Sequence, residues 1–257
     1  MQQTDIRSAL LKLATEYPPE MVAEQRESVE RIAFNIGLAL DGCRLEDTSI
    51  CDIGGGVGLF SIGCKAIGCR RSVLVDDFGD DVNRAFGEPV LEPHRRRGVE
   101  IVSRDVISAG LGTAGPFDVV TTFDSMEHWH HSPKPLFKEI VHELKPGGRF
   151  VLGVPNCVNL RKRITVPLGY GKWSSFEEWY GVQRFRGHVR EPDVADLRSI
   201  ANDMKLKNVR IVGMNWTGYA SPSRLVRAGT RLVDVPLRLF PTLCGDIYLV
   251  GEKPRGT

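Results

Sequence analysis

The chain has 257 residues, with 34 lysines and arginines against 32 aspartates and glutamates. The resulting net charge of +2 gives no global electrostatic argument for a nucleic-acid partner. Hydrophobic residues make up 42% of the chain and charged residues 26%, an ordinary globular balance, and no stretch approaches the ~20 uninterrupted apolar residues of a transmembrane helix.

The opening run MQQTDIRSALLKLATEYPPE lacks a basic region followed by an apolar run and a small-residue cleavage site, so no signal peptide is read and a cytoplasmic location is expected. Val22, Val29, Ile32, Ala33, Ile36 and Leu40 recur at helical spacing and predict an amphipathic helix over 19–40. Residues 49–53 read as a short strand that runs into glycines, 59–67 as a helix and 72–76 as a second strand, together a βαβ unit with a buried parallel sheet. Further strands are predicted at 99–102 and 117–123. A helix over 136–144 should stop at Lys145-Pro146-Gly147-Gly148, where proline cannot continue it and glycine supplies the turn, before a fifth strand at 149–155. Residues 157–190 break the alternation with glycines, arginines and aromatics and are expected to form an inserted cap. A helix at 191–204, a strand at 209–213, a helical stretch at 222–234 and a closing strand at 246–251 follow. This organisation is one doubly wound α/β domain, with an N-terminal helical segment (1–45), a core (46–156), the cap (157–190) and a C-terminal part that completes the sheet (191–257).

The six cysteines stand singly, without the paired spacing of a zinc or redox site, and read as reduced thiols. The short basic runs at 94–97 and 161–163 read as solvated loops.

The most informative residues are Asp52-Ile53-Gly54-Gly55-Gly56-Val57-Gly58, at the junction of the first strand and its helix. Glycines there permit a sharp turn and close approach of a ligand to the main chain, and the helix N-terminus offers unpaired N–H groups to a carboxylate or phosphate. The dinucleotide fingerprint GxGxxG is not met, because neither Leu59 nor Ser61 supplies its last glycine, which counts against NAD or FAD.

The spacing acidic-x-Gly-x-Gly-x-Gly resembles the first motif of class I S-adenosylmethionine-dependent methyltransferases. The resemblance continues through Val73-Leu74-Val75-Asp76, Arg104-Asp105-Val106, Phe117-Asp118-Val119-Val120 and Leu144-Lys145-Pro146-Gly147-Gly148-Arg149-Phe150, in the family's order over about residues 48–156. It implies a mostly parallel, seven-stranded Rossmann-like sheet with an antiparallel last strand, and S-adenosyl-L-methionine as cofactor. In that frame Asp52 orients the methionine end, Gly54, Gly56 and Gly58 form the loop, and Asp76 or its neighbour Asp77 accepts from the ribose hydroxyls. Asp105 accepts from the adenine amino group, Phe78 and Val106 flank the adenine, and Phe123 closes the cofactor set.

Methyl transfer is an in-line displacement, so the acceptor must be held at attack distance and a hydroxyl acceptor must lose its proton. Asp124-Ser125-Met126-Glu127-His128-Trp129-His130-His131-Ser132-Pro133 resembles the Glu-His-x-x-x-x-Pro stretch of type 11 and ubiquinone-pathway small-molecule methyltransferases. His128 is the candidate base, since imidazole titrates near neutral pH, and Glu127 is assigned to the acceptor. Three histidines and two acids within eight residues raise a metal site, but the HExxH register is missing and no metal is expected. Gly187-His188-Val189-Arg190-Glu191-Pro192 resembles the segment that follows the cap in such enzymes. Trp173, Trp179 and Tyr180 suit either a flat or sugar acceptor or the packing of the cap onto the sheet, and Arg184, Arg186 and Arg190 suit a phosphate or carboxylate on the acceptor. The basic-apolar stretch at 225–240 suits either a surface for a lipid-linked acceptor or a helix packed between strands six and seven. The expected activity is O-methylation of a small molecule such as a sugar, a glycan precursor or a lipid-linked acceptor, without nucleic acid, the oligomeric state being open between monomer and homodimer. An NAD-linked oxidoreductase and a non-catalytic methyltransferase-like binding module are the alternatives.

Overall fold

The strand predicted at 49–53 forms with those bounds in the computed structural model, which describes residues 3–79, 87–170, 174, 176–182, 185–221 and 223–256. This strand, β1 (Ser49–Ile53), is buried at every position, as expected of a central parallel strand covered on both faces. It pairs in parallel with β2 (Arg71–Asp76) and β4 (Phe117–Phe123), and β3 (Glu100–Ser103) runs parallel to β2. With β5 (Leu144–Pro155), β6 (Lys207–Met214) and β7 (Asp246–Glu252) the sheet has seven strands in the order β3-β2-β1-β4-β5-β7-β6. β6 and β7 are antiparallel. The expected mostly parallel Rossmann-like sheet, flanked by helices, is therefore present.

The chain divides into two compact units. One comprises Met1–Phe123, Pro133–Val151 and Lys253–Thr257, the other Asp124–Ser132 and Leu152–Glu252.

In the first unit α1 (Gln3–Ala14), α2 (Pro19–Leu40) and α3 (Leu59–Ala66) pack on one another. α2 has the predicted bounds: Pro19 occupies the first turn, where its missing N–H costs nothing, and Met21, Val29, Ala33, Ile36 and Leu40 form the buried stripe. α1 is a helix beyond those expected from the sequence, and buries Ile6, Leu10 and Leu13 at helical spacing. The LKPGG run corrects its expected turn. α6 (Lys134–Glu143) ends before it and β5 begins at Leu144, because Gly147 N–H donates to Lys253 O at 2.9 Å and Lys253 N–H to Gly148 O at 2.8 Å. Between β2 and β5 lie α4 (Glu92–Arg96) and α5 (Val106–Ala109).

The second unit contains α7 (Leu160–Thr165), α8 (Phe176–Tyr180), α9 (Val194–Asp203), α10 (Trp216–Tyr219) and α11 (Arg224–Arg238). α9 starts with a reciprocal Asp193–Asp196 capping box. α11 is turned with its polar side inward. Its buried residue is Asp234, which accepts from Asn215, Tyr219 and Arg238, whereas Leu225 and Leu232 are 85% and 81% exposed. Among the described residues no helix is long and apolar enough to cross a membrane.

Both basic runs depart from the solvated-loop expectation. The 161–163 run lies in α7, with Lys162 buried. The 94–97 run begins in α4 with His94, whose relative exposure is 0%. The reason is specific: His94 Nε2–H donates to the Gly58 carbonyl at 3.1 Å, the Tyr17 hydroxyl donates to the same oxygen at 3.4 Å, and the two rings meet edge to face. Burial holds the His94 ring at about 4, well below 6.5. The unfolded chain therefore takes up this proton first, and the stability that neutral His94 contributes is complete above pH 6.5 and lost as pH falls towards 4. Denaturant unfolding of the wild type and of His94→Gln across this range should diverge by up to about 3 kcal/mol, the wild type losing more on acidification. Parallel curves would contradict the assignment.

Candidate active site

The carboxyl ends of β1, β2 and β4 lie side by side in the first unit, the edge at which open α/β sheets bind ligands. Asp52 is buried there. Its Oδ1 accepts from the Thr121 hydroxyl and its Oδ2 from the Ser61 hydroxyl, each at 2.9 Å. Burial pushes its carboxyl up to about 7, with the two hydroxyls partly offsetting this. The glycine loop lies directly against that carboxylate: a Cβ on Gly55 would stand 2.2 Å from Asp52 Oδ2 and 3.0 Å from Leu74 Cδ1. Gly56 adopts φ +53° in the left-handed region, and its N–H donates to Asp76 Oδ2 at 2.9 Å. Asp76 Oδ1 accepts from Phe78 N–H at 2.7 Å. Gly58 is the N-cap of α3 and offers no side chain, so the first N–H groups of α3 have no side-chain cap.

Gly54, Gly56, Gly58, Asp52 and Asp76 are thus brought together. Asp77 is turned outward and accepts from Gly79 N–H at 2.8 Å. Phe78, Ile101 and Ser103 line a cleft of about 470 Å³ together with Leu91, Arg95 and Val99. Asp105 caps α5, accepting from Ile107 N–H at 3.0 Å and the Ser108 hydroxyl at 2.9 Å, and Val106 is buried. Phe123 meets Phe60 edge to face at 5.0 Å. Ser61, Thr121, Tyr17 and His94 carry no signal in the sequence that assigns them to the site. Thr121 becomes visible only through the pairing of β4 with β1, where it is the register partner of Asp52.

The second unit holds another buried polar cluster. Met126–His128 form one 3-10 turn, and the Glu127 carbonyl accepts from Val189 N–H at 2.7 Å and Arg190 N–H at 3.2 Å, which ties this turn to the 186–191 segment. His128 Nδ1–H donates to the Arg186 carbonyl at 2.7 Å, so Nε2 is the unprotonated nitrogen of the neutral ring. His188 Nδ1 bonds Glu191 Oε1 at 2.8 Å, and the Lys162 ammonium donates to Oε2 of the same carboxylate. The two imidazoles meet edge to face, 4.9 Å between centroids. Donor atoms of Glu127, His128 and His188 all lie within 4.8 Å of one another.

Burial, then Asp124, pushes Glu127 up to about 8, and burial lowers His128. The bond to Glu191 raises His188. His130 and His131 are exposed and stand outside the cluster. Tyr180 is exposed and stacks on Phe176 at 4.8 Å; exposed Arg190 pairs with Asp196 at 3.1 Å. Trp173 and Arg184 lie outside the described residues.

Residues 3–211 match a family model described as a methyltransferase domain. No curated protein matches. Among solved structures, a SAM-dependent methyltransferase from Archaeoglobus fulgidus is 18% identical over 87% of this chain and 92% of its own, with a TM-score of 0.54. The N-methyltransferase NodS from Bradyrhizobium japonicum, in complex with S-adenosyl-L-homocysteine, is 16% identical over 89% of this chain and 88% of its own, TM-score 0.51. Magnesium protoporphyrin IX methyltransferase from Synechocystis, with bound SAH, is 15% identical over 89% and 86%, TM-score 0.53. At these identities the likeness shows the fold.

Gly55→Ala must displace the Asp52 carboxylate from its hydroxyl partners and should cost roughly 2–4 kcal/mol of unfolding free energy. Gly56→Ala meets no atom within 4 Å and should cost only the about 1–2 kcal/mol of a left-handed alanine. Denaturant titration of both variants checks the ranking, and equal costs would contradict it.

Proposed function

Since the chain belongs to the class I S-adenosylmethionine-dependent methyltransferase family, we propose that it methylates a hydroxyl oxygen of a small-molecule acceptor. The observation that carries the cofactor half of this reading is the uncapped N-terminus of α3 behind the glycine turn, flanked by the acids that end β1 and β2. The α3 N–H groups suit the cofactor's carboxylate. Asp76, whose oxygens accept from Gly56 and Phe78, stands at the end of β2 beside the glycine turn, and its carboxylate suits the ribose hydroxyls. Asp52 is assigned to the support of the loop at the methionine end, Asp105 to the adenine amino group, and Phe78, Val106 and Phe123 to the apolar surfaces around the ring. When bound, the cofactor supplies an electrophilic methyl group on its sulfonium.

On the acceptor side His128 is the residue assigned to activate the hydroxyl. Its Nδ1–H is committed to the Arg186 carbonyl, so Nε2 is the nitrogen available to an acceptor O–H. Glu127, Tyr180, Arg190 and Trp173 complete the proposed acceptor set. The solved neighbours include an N-methyltransferase and a porphyrin methyltransferase, so the choice of oxygen rests on His128 alone. The outward apolar face of α11, with exposed Arg224 and Arg231 on the same helix, supports a lipid-linked acceptor. A homodimer covering that face is the competing reading.

Asp76→Ala should weaken binding of S-adenosylhomocysteine by roughly 1–3 kcal/mol in a calorimetric titration, and exposed Asp77→Ala by less. Equal effects would move the ribose site by one residue. In an assay with radiolabelled cofactor and a panel of hydroxylated acceptors, His128→Ala should lower turnover by about 10²–10⁴-fold with cofactor affinity nearly unchanged. Retention of more than about a tenth of the turnover would place activation elsewhere.

A further inference from the structure

We propose that Glu127, His128 and His188 bind one divalent transition-metal ion, of the Zn²⁺ class, through one carboxylate oxygen and two imidazole nitrogens. The spacing of the histidines along the chain gives no sign of this, because the third donor comes from the 186–191 segment and only the folded chain brings it beside the Glu127-His128 pair.

Three observations converge on an ion. The donor atoms lie within 4.8 Å of one another, whereas three ligands at about 2.0–2.2 Å from a common ion stand about 3.3–3.8 Å apart; a closure of at most about 1.5 Å brings them onto one ion. Both imidazoles are then committed through their outer nitrogens, His128 Nδ1 to a backbone carbonyl and His188 Nδ1 to a carboxylate. That is the arrangement by which metal-binding histidines are oriented, since it leaves each Nε2 as the free donor. Glu127 supplies the third observation. It is 1% exposed, and its Oε2 is fully buried with no hydrogen-bond partner, so the cluster contains a desolvated oxygen on which no donor is placed. Lys162 does not fill that role, being held on Glu191.

The donor set also selects the ion. Two nitrogens and one oxygen favour a transition ion with open positions over Mg²⁺ or Ca²⁺, which prefer oxygen. Glu191 and Lys162 act as positioning residues for His188. The inference rests on the reading of His128 as the activating residue and changes how it activates: His128 Nε2 serves as a ligand instead of taking the proton, the ion binds the acceptor hydroxyl and lowers its pKa, and the hydroxyl proton passes to solvent water.

The test uses the untagged full chain, stripped with a chelator, with no cofactor or acceptor present. Co²⁺ is titrated by visible absorption and Zn²⁺ by calorimetry. Wild type should take up one equivalent of Co²⁺ with a ligand-field band that Zn²⁺ displaces. Glu191→Gln should weaken uptake by about 10–100-fold, and Glu127→Gln and His188→Gln by more. The exposed His130→Ala/His131→Ala pair should leave it intact. Thermal unfolding of the metal-free proteins serves as the folding control, and Glu127→Gln should melt at or above wild type because it removes an unpartnered buried carboxylate. The proposal is overturned if wild type takes up no stoichiometric ion, if Glu127→Gln binds as tightly as wild type, or if uptake is lost with His130 and His131. Should no ion bind while His128→Ala still loses turnover, the metal is wrong and the acceptor reading survives. Should the ion bind while His128→Ala keeps its turnover, the site stands and the acceptor reading falls.

Discussion

The cofactor half of the molecule depends on a carboxylate placed where water cannot reach it. Asp52 sits in the central strand under the glycine loop, and its two oxygens are held by hydroxyls from α3 and from β4. Three parts of the first unit, β1, α3 and β4, thereby share one buried acid. The loop above can close on that acid only because Gly55 has no side chain. It is then fastened at two further points: Asp76 holds the Gly56 N–H, and His94 with Tyr17 holds the Gly58 carbonyl. A turn that must present bare backbone to a ligand gains its rigidity from groups beneath and beside it.

The second unit follows the same logic with a different chemistry. Glu191 is buried but receives Lys162 and His188, which together outweigh its desolvation and hold its carboxyl low. Glu127, equally removed from solvent, is held high. Two buried carboxylates in one cluster are thus pushed in opposite directions by their neighbours, a pattern more common at functional centres than in structural cores.

Much of this was legible in the residues. The βαβ unit and its glycine turn, the bounds of β1, β4 and α2, and the antiparallel closing strand follow from periodicity, glycine placement and the family resemblance. The acids at the ends of β1 and β2 follow likewise. What escaped reading depends on pairing. Thr121 matters because of its register opposite Asp52, and His94 is buried because a carbonyl far from it in sequence needs a donor. The LKPGG run is strand because it meets Lys253, although proline and glycine locally favour a turn. His188 joins Glu127 and His128 through backbone bonds between distant segments. In each case local preference was outweighed by a partner that the linear pattern does not reveal.

Whether the glycine turn and its flanking acids form a site for S-adenosylmethionine is decided by calorimetric titration of the purified chain with S-adenosylhomocysteine and, separately, with NAD. Saturable heat with S-adenosylhomocysteine at one site, and none with NAD, is the expected result. Saturable NAD binding with no heat from S-adenosylhomocysteine would contradict it.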